Sequence, residues 1–310
     1  MKLSFVFPGQ GSQSVGMMQG FDSMPIVRDT FTEASDVLGQ DIWQTVTTGT
    51  AEQLGMTVNT QPVMLAAGVA TYRAWLSQDG LTPEVMAGHS LGEYSALVAA
   101  GALSFADALP LVRLRAEVMQ DAVAEGRGAM AAILGLDDDV VRVVCAEAAQ
   151  GEVLEPVNFN SPGQVVIAGN KAAVERGMIL SREQGAKRAL LLPVSVPSHC
   201  ALMHPAAEQL AAYLESVAIH PPQIPVLHNA DVMAYSDPAQ IRSALARQLY
   251  SPVRWVETVR AMAASGVTHV VECGPGKVLA GLGKRIDNNI QAYALTSADA
   301  INEIKSVLAG

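Results

Sequence analysis

The chain has 310 residues, of which 50% are hydrophobic and only 5% aromatic, so it can bury a large and mainly aliphatic core. Its formal net charge of −10 argues against a general nucleic-acid binder, which would present a basic surface. Its cysteines, Cys145, Cys200 and Cys273, are far apart, which argues against a disulfide framework and against a zinc site.

The hydrophobic runs of the sequence are short. The N-terminal run at 3–7 is too short for the apolar region of a signal peptide. No unbroken apolar stretch reaches the length of a membrane span. We therefore expect a cytoplasmic protein that binds neither membrane nor nucleic acid, and nothing in the sequence requires more than a monomer.

The first elements in chain order alternate between strand and helix. The apolar segment 2–7, bounded by Pro8 and Gly9, predicts a buried strand. The segment 59–75 predicts a helix, with Thr60 as its N-cap and Pro62 near its first turn.

A nucleophile elbow follows these elements. The short apolar strand at 85–87 leads into Gly-His-Ser-Leu-Gly at 88–92, and a helix is predicted at 93–100. A Gly-X-Ser-X-Gly turn between a strand and a helix exposes the serine, and the turn is so tight that side chains at the flanking positions would clash. The pattern predicts Ser90 as a nucleophile.

The middle of the chain differs in pattern from the rest. Elements of the order β-α-β-β-α-β are predicted at 128–134, 137–150, 155–160, 164–170, 172–186 and 187–195. This order is that of a ferredoxin-like unit. We therefore expect a small ferredoxin-like subdomain at 127–198, inserted in a parallel-sheet α/β domain formed by 1–126 and 199–310.

A serine nucleophile needs a base, and the chain offers six histidines. His199 is the best candidate, because it follows Pro197 where a predicted strand ends and a helix begins; His204 is the second. His89 lies inside the elbow, where its ring cannot easily turn back to the neighbouring hydroxyl, and His220 lies in a proline-rich loop. The alternative for His199 is a helix-capping or core histidine.

An acid for a Ser-His-Asp triad is not evident. In the α/β-hydrolase order the acid lies between serine and histidine, but the carboxylates between Ser90 and His199 fall on predicted helices with a surface pattern, such as those at 137–139. The sequence therefore fits an ordinary esterase poorly. A dyad whose imidazole is oriented by a neutral acceptor fits it better.

Arg115 lies on the apolar face of a predicted helix. Helical spacing surrounds it with Leu111, Val112, Val118 and Met119, and no carboxylate lies three or four residues away. A buried arginine needs an anionic partner. That partner is either an acid from elsewhere in the fold or the carboxylate of a substrate, bound bidentately. The second possibility points to a dicarboxylic acyl group.

Two glycine-rich loops follow predicted strands. Gly9-Gln10-Gly11 lacks the spacing of a dinucleotide-binding loop, but Gln10 carries backbone and amide donors that could face an active site. Gly-Pro-Gly-Lys at 274–277 lacks the pattern of a phosphate-binding loop and predicts a strand-to-helix turn.

Six ordered motifs together resemble one enzyme family. They are FVFPGQGSQ at 5–13, TQPVML at 60–65, GHSLGEYSAL at 88–97, VNFNSPGQVVIAG at 157–169, VPSH at 196–199 and GPGKVLAGL at 274–282. They resemble the malonyl-CoA:acyl carrier protein transacylases of type II fatty acid synthesis. The resemblance implies an α/β-hydrolase-like domain with a ferredoxin-like insert. It also implies ping-pong transfer of a malonyl group from malonyl-CoA to acyl carrier protein, with no metal or other cofactor.

The resemblance assigns roles to the residues that match the motifs. Ser90 corresponds to the nucleophile that becomes malonylated, His199 to its base, and Arg115 to the arginine that binds the malonyl carboxylate. This assignment favours the substrate carboxylate as the partner of Arg115.

The remaining assignments concern the backbone. Gln10 and Leu91 correspond to residues whose backbone N–H groups form the oxyanion hole. Gln248 corresponds to a residue whose backbone carbonyl orients the histidine, which would explain the missing acid.

Alternatives remain at this point. A serine hydrolase would use the same elbow with water as acceptor, and a malonyl transferase could serve a malonate decarboxylase or a polyketide carrier protein. A binding module would leave the serine, histidine and arginine unexplained. An acidic carrier protein would need a local basic patch, for which the candidates are Lys187, Arg188, Lys277, Lys284 and Arg285. These five could equally be scattered solvated charges.

Overall fold

The computed structural model describes residues 1–194 and 196–309. Its strands are β1 Leu3–Phe7, β2 Val85–Gly88, β3 Gly128–Leu134, β4 Leu154–Ser161, β5 Gln164–Asn170, β6 Arg188–Leu191, β7 Val226–Leu227, β8 His269–Cys273 and β9 Gln291–Leu295. Its α-helices are α1 Pro25–Leu38, α2 Ile42–Thr47, α3 Ala51–Gly55, α4 Thr57–Ser77, α5 Gly92–Ala99, α6 Phe105–Asp121, α7 Asp138–Ala149, α8 Lys171–Glu183, α9 His204–Leu214, α10 Pro238–Gln248, α11 Trp255–Ala264, α12 Val278–Ile286 and α13 Ala298–Ala309.

The larger sheet is parallel and has the order β7-β2-β1-β8-β9. Its central strand β1 is buried along its whole length, as the apolar run predicts, and Phe7 pairs with Gly88 of β2. Because the strands are parallel, the residues that follow β1, β2, β7 and β8 emerge at one edge of the sheet. In open α/β sheets this carboxyl edge is where ligands bind.

The main core lies between this sheet and the helices that cover it. Helix α4 is buried on nearly all sides because its sequence is apolar around the whole circumference. Phe5 of β1 packs edge-to-face against Tyr72 and Trp75 of α4, with ring centroids 5.8 and 5.4 Å apart. These contacts fix α4 against the sheet, and α4 in turn packs on α6.

The smaller sheet is antiparallel, with the order β4-β5-β3-β6. Together with α7 and α8 its strands follow the predicted order β-α-β-β-α-β. Alternation along β3 turns Ala131 and Ile133 to the face covered by these helices and Met130 to the opposite face. The described chain is therefore a mixed α/β structure with a parallel sheet and a separate antiparallel sheet.

Two local predictions were wrong. Helix α4 begins at Thr57, not at 59, and Thr60 is not its N-cap. The hydroxyl of Thr60 instead shares its hydrogen between the carbonyl oxygens of Leu54 and Met56, at 2.5 and 3.0 Å. Because the helix begins at Thr57, Pro62 lies inside it. The closing strand of the antiparallel sheet ends at Leu191, and position 195, the last residue of that predicted strand, lies outside the described residues.

The prediction of a turn at 274–277 is confirmed, because these residues connect β8 to α12. Among the helices of the described chain, none combines the length and the apolar character that crossing a bilayer requires.

Candidate active site

Ser90 lies at the carboxyl end of β2, in the turn that leads into α5. Its φ of 51° is in the left-handed region, which a residue with a side chain adopts only when its surroundings impose it. A Cβ at Gly88 would collide with the backbone of Gly92, and a Cβ at Gly92 would collide with the carbonyl of Phe7. Both glycines are thus required for the close approach of β1, β2 and α5, and the predicted elbow is present.

His199 reaches Ser90 from the segment that follows β6. Its Nε2 lies 2.8 Å from the Oγ of Ser90, and its Nδ1 lies 2.8 Å from the carbonyl oxygen of Gln248. A carbonyl oxygen only accepts, so Nδ1 carries the proton and donates it to Gln248. The lone pair of Nε2 then faces the serine hydroxyl, which is the arrangement that a general base needs.

The imidazole of His199 is buried and uncharged. Burial, and after it the positive charge of Arg115, together lower its pKa from 6.5 to about 3. At neutral pH the imidazole is therefore uncharged, and the lone pair of Nε2 is available to accept a proton.

The guanidinium of Arg115 lies beside the nucleophile, held by neutral partners. Its Nη1 donates to Oε1 of Gln61 at 2.8 Å, and its Nη2 donates to Oε1 of Gln248 at 2.9 Å and to Ser90 Oγ at 3.2 Å. Arg115 is only 1% exposed, and within the described residues no carboxylate forms an ion pair with it. A buried cation without a contacting anion is costly, so the site is suited to a ligand that brings its own negative charge.

Backbone donors are available next to Ser90. The N–H of Ser90 itself is occupied, because it donates to Oδ1 of Asn229 at 2.7 Å. The N–H groups of Gln10 and Leu91 donate to no acceptor among residues 1–194 and 196–309, and both residues line the same cavity. Two free donors beside a nucleophile suit a developing oxyanion.

The cavity over Ser90 has a volume of about 110 Å³. Its polar wall is formed by residues of the elbow and by Gln61, Arg115 and His199. Its apolar wall comes from α6 and from the antiparallel sheet and the segment after it, namely Met119, Met130, Leu192, Val194 and Val196. The site therefore lies between the two sheets.

Residues 4–297 match the model of the acyl transferase domain. This chain belongs to the acyl transferase family. It is an acyltransferase, and its relatives confirm the resemblance of its motifs to the malonyl-CoA:acyl carrier protein transacylases.

Close relatives of this acyltransferase span its whole length. The malonyl CoA-acyl carrier protein transacylase of Haemophilus influenzae is 58% identical over 309 residues, which is 99% of both chains. The crystal structure of the acyl-carrier-protein S-malonyltransferase of Burkholderia pseudomallei is 57% identical, with a TM-score of 0.97 over 99% of this chain and 100% of that one. A malonyl-transacylase solved in complex with its type II polyketide synthase acyl-carrier protein is 52% identical, with a TM-score of 0.98 over 99% and 100% of the chains.

The acyltransferase structure brings the sequence-predicted site residues together. Gln10, Ser90, Leu91, Arg115 and His199 line one cavity, and Gln248 contacts both the histidine and the arginine. Their catalytic roles stay predictions.

The other histidines considered as a base do not contact the hydroxyl of Ser90. His204 is exposed, stacks on Tyr250 with ring centroids 4.0 Å apart, and does not line the cavity. His89 lines the cavity, but its Nε2 lies 2.8 Å from Oδ1 of Asn160 and makes no hydrogen bond to Ser90 Oγ among the described residues.

Sequence reasoning missed Gln61, Glu93 and Asn229, which all contact the site or its supports. Asn229 did carry a signal, since it is a polar residue just after β7, at the carboxyl edge of the sheet. Glu93 carried none, because an acid in the first turn of a helix is ordinarily a solvated partner of the helix dipole. Gln61 gave no distinct signal, because it is one of two amides, with Asn59, in a largely apolar helix.

Proposed function

We propose that this protein transfers the malonyl group of malonyl-CoA to the phosphopantetheine thiol of an acyl carrier protein, supplying fatty acid synthesis. The observation that carries the proposal is the position of Arg115, a buried guanidinium 3.2 Å from the Oγ of Ser90 with no contacting carboxylate among the described residues. An acyl group that ends in a carboxylate would supply the missing charge.

The first half of the proposed reaction forms a malonyl-serine. His199 Nε2 takes the proton of the Ser90 hydroxyl as Oγ attacks the thioester carbonyl carbon, and the carbonyl oxygen becomes an oxyanion held by the N–H groups of Gln10 and Leu91. The oxyanion then re-forms the carbonyl as the carbon–sulfur bond breaks. The proton on His199 passes to the departing sulfur, and coenzyme A leaves as the free thiol.

The second half reverses these steps with a new thiol. His199 takes the proton of the phosphopantetheine thiol, and the sulfur attacks the carbonyl carbon of malonyl-Ser90. The carbon–oxygen bond to Ser90 breaks, and the serine recovers its proton from His199. The coenzyme A thioester is a substrate, so the proposed cycle consumes no cofactor and uses no metal.

Arg115 gives the proposed reaction its selectivity. When the malonyl carboxylate enters, it can take the two outer nitrogens of the guanidinium that now contact Gln61 and Ser90. The carboxylate would replace Ser90 Oγ as the acceptor of this guanidinium nitrogen and would form a stronger, charge-assisted hydrogen bond. The hydroxyl of Ser90 would then be free to attack. An acetyl group offers no such exchange and leaves the cation buried without an anion.

The proposed carrier protein is acidic, and this chain is acidic as well, so docking needs a local positive surface. All five candidate cations are exposed and take part in no ion pair within the described part of the chain: Lys187, Arg188, Lys277, Lys284 and Arg285. The relative that was solved with its polyketide carrier supports a carrier protein as acceptor. That relative also makes a polyketide carrier an acceptor to be tested beside that of fatty acid synthesis.

The remaining parts of the proposal concern organisation. We propose that 1–126 and 199–310 form an α/β-hydrolase-like unit, that 127–198 form a ferredoxin-like unit, and that the protein acts as a cytoplasmic monomer. The predicted order of elements and the two separate sheets support the division.

The test is the intact mass of the protein after brief mixing with malonyl-CoA, beside acetyl-CoA and a Ser90→Ala variant. A malonyl-sized increase, absent from the variant and weak with acetyl-CoA, is the expected result. Steady release of coenzyme A without an adduct and without an acceptor would instead identify a hydrolase. Unchanged malonyl transfer by Ser90→Ala would rule out Ser90 as the nucleophile.

A further inference from the structure

Glu93 is a completely buried carboxylate directly behind the elbow, in the first turn of α5. Its Oε1 lies 2.7 Å from Nδ1 of His228. Its Oε2 accepts from the backbone N–H of Asn229 at 2.8 Å and from Nε2 of Gln248 at 2.9 Å. A buried carboxylate with three donors is well compensated, and it can fix the groups that donate to it.

The contact with Gln248 determines which way that side-chain amide faces. Its Nε2 donates to Glu93 and also to the carbonyl oxygen of Ser90, at 3.0 Å. An amide nitrogen has two hydrogens, so both are used, and Oε1 must point to the other side. There it accepts from Nη2 of Arg115 at 2.9 Å. Glu93 thus selects the amide orientation that presents an acceptor to the arginine.

The contact with Asn229 supports the elbow itself. The side chain of Asn229 accepts from the N–H of Ser90 at 2.7 Å and donates to the carbonyl of Gly88 at 2.7 Å. The backbone N–H of the same residue is held by Glu93. One carboxylate therefore constrains both the turn that carries the nucleophile and the amide that holds the arginine.

Glu93 also balances charge. Burial lowers the pKa of Arg115 from its ordinary value, and the Glu93 carboxylate opposes that shift. The two groups do not touch, since the amide of Gln248 lies between them. In the low dielectric of a protein interior, the attraction between these two charges is weakly screened and acts across one intervening group.

We propose that Glu93 is a positioning residue for acyl transfer, which fixes the Gln248 amide so that Arg115 faces the acyl carboxylate. This inference rests on the proposed function, because it gives Arg115 the task of binding that carboxylate. Glu93 acts through Gln248 and Arg115 and does not touch the substrate. Its removal should therefore impair malonyl transfer more than acetyl transfer.

The experiment compares Glu93→Gln with the unaltered protein. The substitution keeps the size of the side chain but removes its charge. It also places an amide N–H group opposite N–H groups that need an acceptor. We expect the ratio of kcat/KM for malonyl-CoA to that for acetyl-CoA to fall on the order of tenfold to a hundredfold, as when a hydrogen bond to a charged group is lost. In an Arg115→Ala background the same substitution should change this ratio little, because the group through which it acts is gone.

Two controls separate positioning from folding. Glu272 is another completely buried glutamate, and it accepts from the backbone N–H of Ala280 in α12. Glu272→Gln therefore places a neutral amide in the core elsewhere, and it should leave the malonyl-to-acetyl ratio unchanged. The rate of Ser90 sulfonylation by phenylmethylsulfonyl fluoride, a neutral reagent that does not need Arg115, reports whether the elbow is intact.

The outcomes are distinct. Equal losses of malonyl, acetyl and sulfonylation rates in Glu93→Gln would show a purely structural role and overturn the inference. An unchanged ratio would overturn it as well, as would an equal fall in Glu272→Gln. If the unaltered protein forms no malonyl adduct on Ser90, the proposed function fails first, whatever the variants do.

Discussion

The backbone carbonyl of Gln248 accepts a hydrogen bond from Nδ1 of His199 at 2.8 Å, on the side of the imidazole that faces away from Ser90. In a Ser-His-Asp triad this place belongs to a carboxylate. A carbonyl fixes the same tautomer but brings no full negative charge. The imidazolium is therefore stabilised less, which agrees with the low pKa of this histidine.

The first prediction concerns the protonation of His199. Because its pKa is lowered to about 3, it should stay neutral on acidification from pH 7 to pH 5, where an ordinary histidine gains a proton. The 15N shifts of its ring, assigned with a His199→Ala variant, measure this directly. Arg115→Met removes the neighbouring positive charge and should raise the pKa. A ring that titrates near 6.5 in the unaltered protein would contradict the prediction.

The same shift predicts how stability depends on pH. A histidine whose pKa is lowered by folding binds more protons when the chain is unfolded. Its contribution to stability is thus fully present above pH 6.5 and is lost as the pH falls toward 3. Urea unfolding at pH 7 and pH 5 should show a smaller loss of stability on acidification for His199→Ala than for the unaltered protein. Equal losses would count against a strongly lowered pKa.

The second prediction concerns acyl selectivity. Arg115→Ala should lower kcat/KM for malonyl-CoA on the order of a hundredfold or more, the cost of truncating a buried charge pair. Acetyl transfer should be spared or raised, because the variant no longer buries a cation without an anion. Steady-state transfer with both thioesters measures this difference. Arg113→Ala is the matched control, since Arg113 lies on the same helix and contacts Leu38 and Gln40 instead. Equal losses for both acyl groups would contradict the role of Arg115.

Much of this site could be predicted because its signals are local. Gly88 and Gly92 are needed by a turn whose geometry involves neighbours in sequence, and the strand and helix around Ser90 are short-range patterns. Arg115 stood out because a charge interrupts an apolar helical face. The order of elements in the antiparallel sheet followed from periodicity in the same way.

The supports of the site could not be predicted, because they are contacts between distant segments. Glu93 and Gln248 are 155 residues apart, and Gln61 and Arg115 are 54 apart. Nothing in the vicinity of Glu93 in the sequence distinguishes a buried carboxylate from a solvated one. The start of α4 was misplaced for a different, local reason, since the hydroxyl of Thr60 bonds back to Leu54 in α3, six residues earlier, instead of capping the helix.

The third prediction concerns the elbow. Gly88→Ala should destabilise the protein by about 3 kcal/mol or more, because its Cβ would collide with backbone that has no room to move. Gly281→Ala is the matched control. Gly281 lies within α12 with open space around its Cβ position, so alanine should stabilise by about 0.5–1 kcal/mol. Chemical denaturation of both variants measures the difference, and similar stabilities would contradict the proposed packing of the elbow.

The last prediction concerns the acceptor. A Cβ placed on Gly276 would lie 3.5 Å from Ser12, which belongs to the loop that carries Gln10. Lys277 is the next residue, so Lys277 also lies close to that loop. Lys277 directly precedes the first residue of α12, and Lys284 and Arg285 are exposed near the other end of that helix. Charge reversal at Lys277, or at Lys284 and Arg285 together, should therefore weaken the approach of an acidic carrier protein.

The size of this effect should depend on salt. At low ionic strength the KM for carrier protein should rise roughly tenfold, and this difference should shrink as salt is added, because electrostatic steering is screened. The KM for malonyl-CoA with a small thiol as acceptor should stay the same, since Ser90 and Arg115 are untouched. Lys2→Glu is the control, because Lys2 precedes β1 at the opposite edge of the sheet. If all variants keep the carrier KM of the unaltered protein, α12 is not the docking surface, and Lys187 and Arg188 become the next residues to reverse.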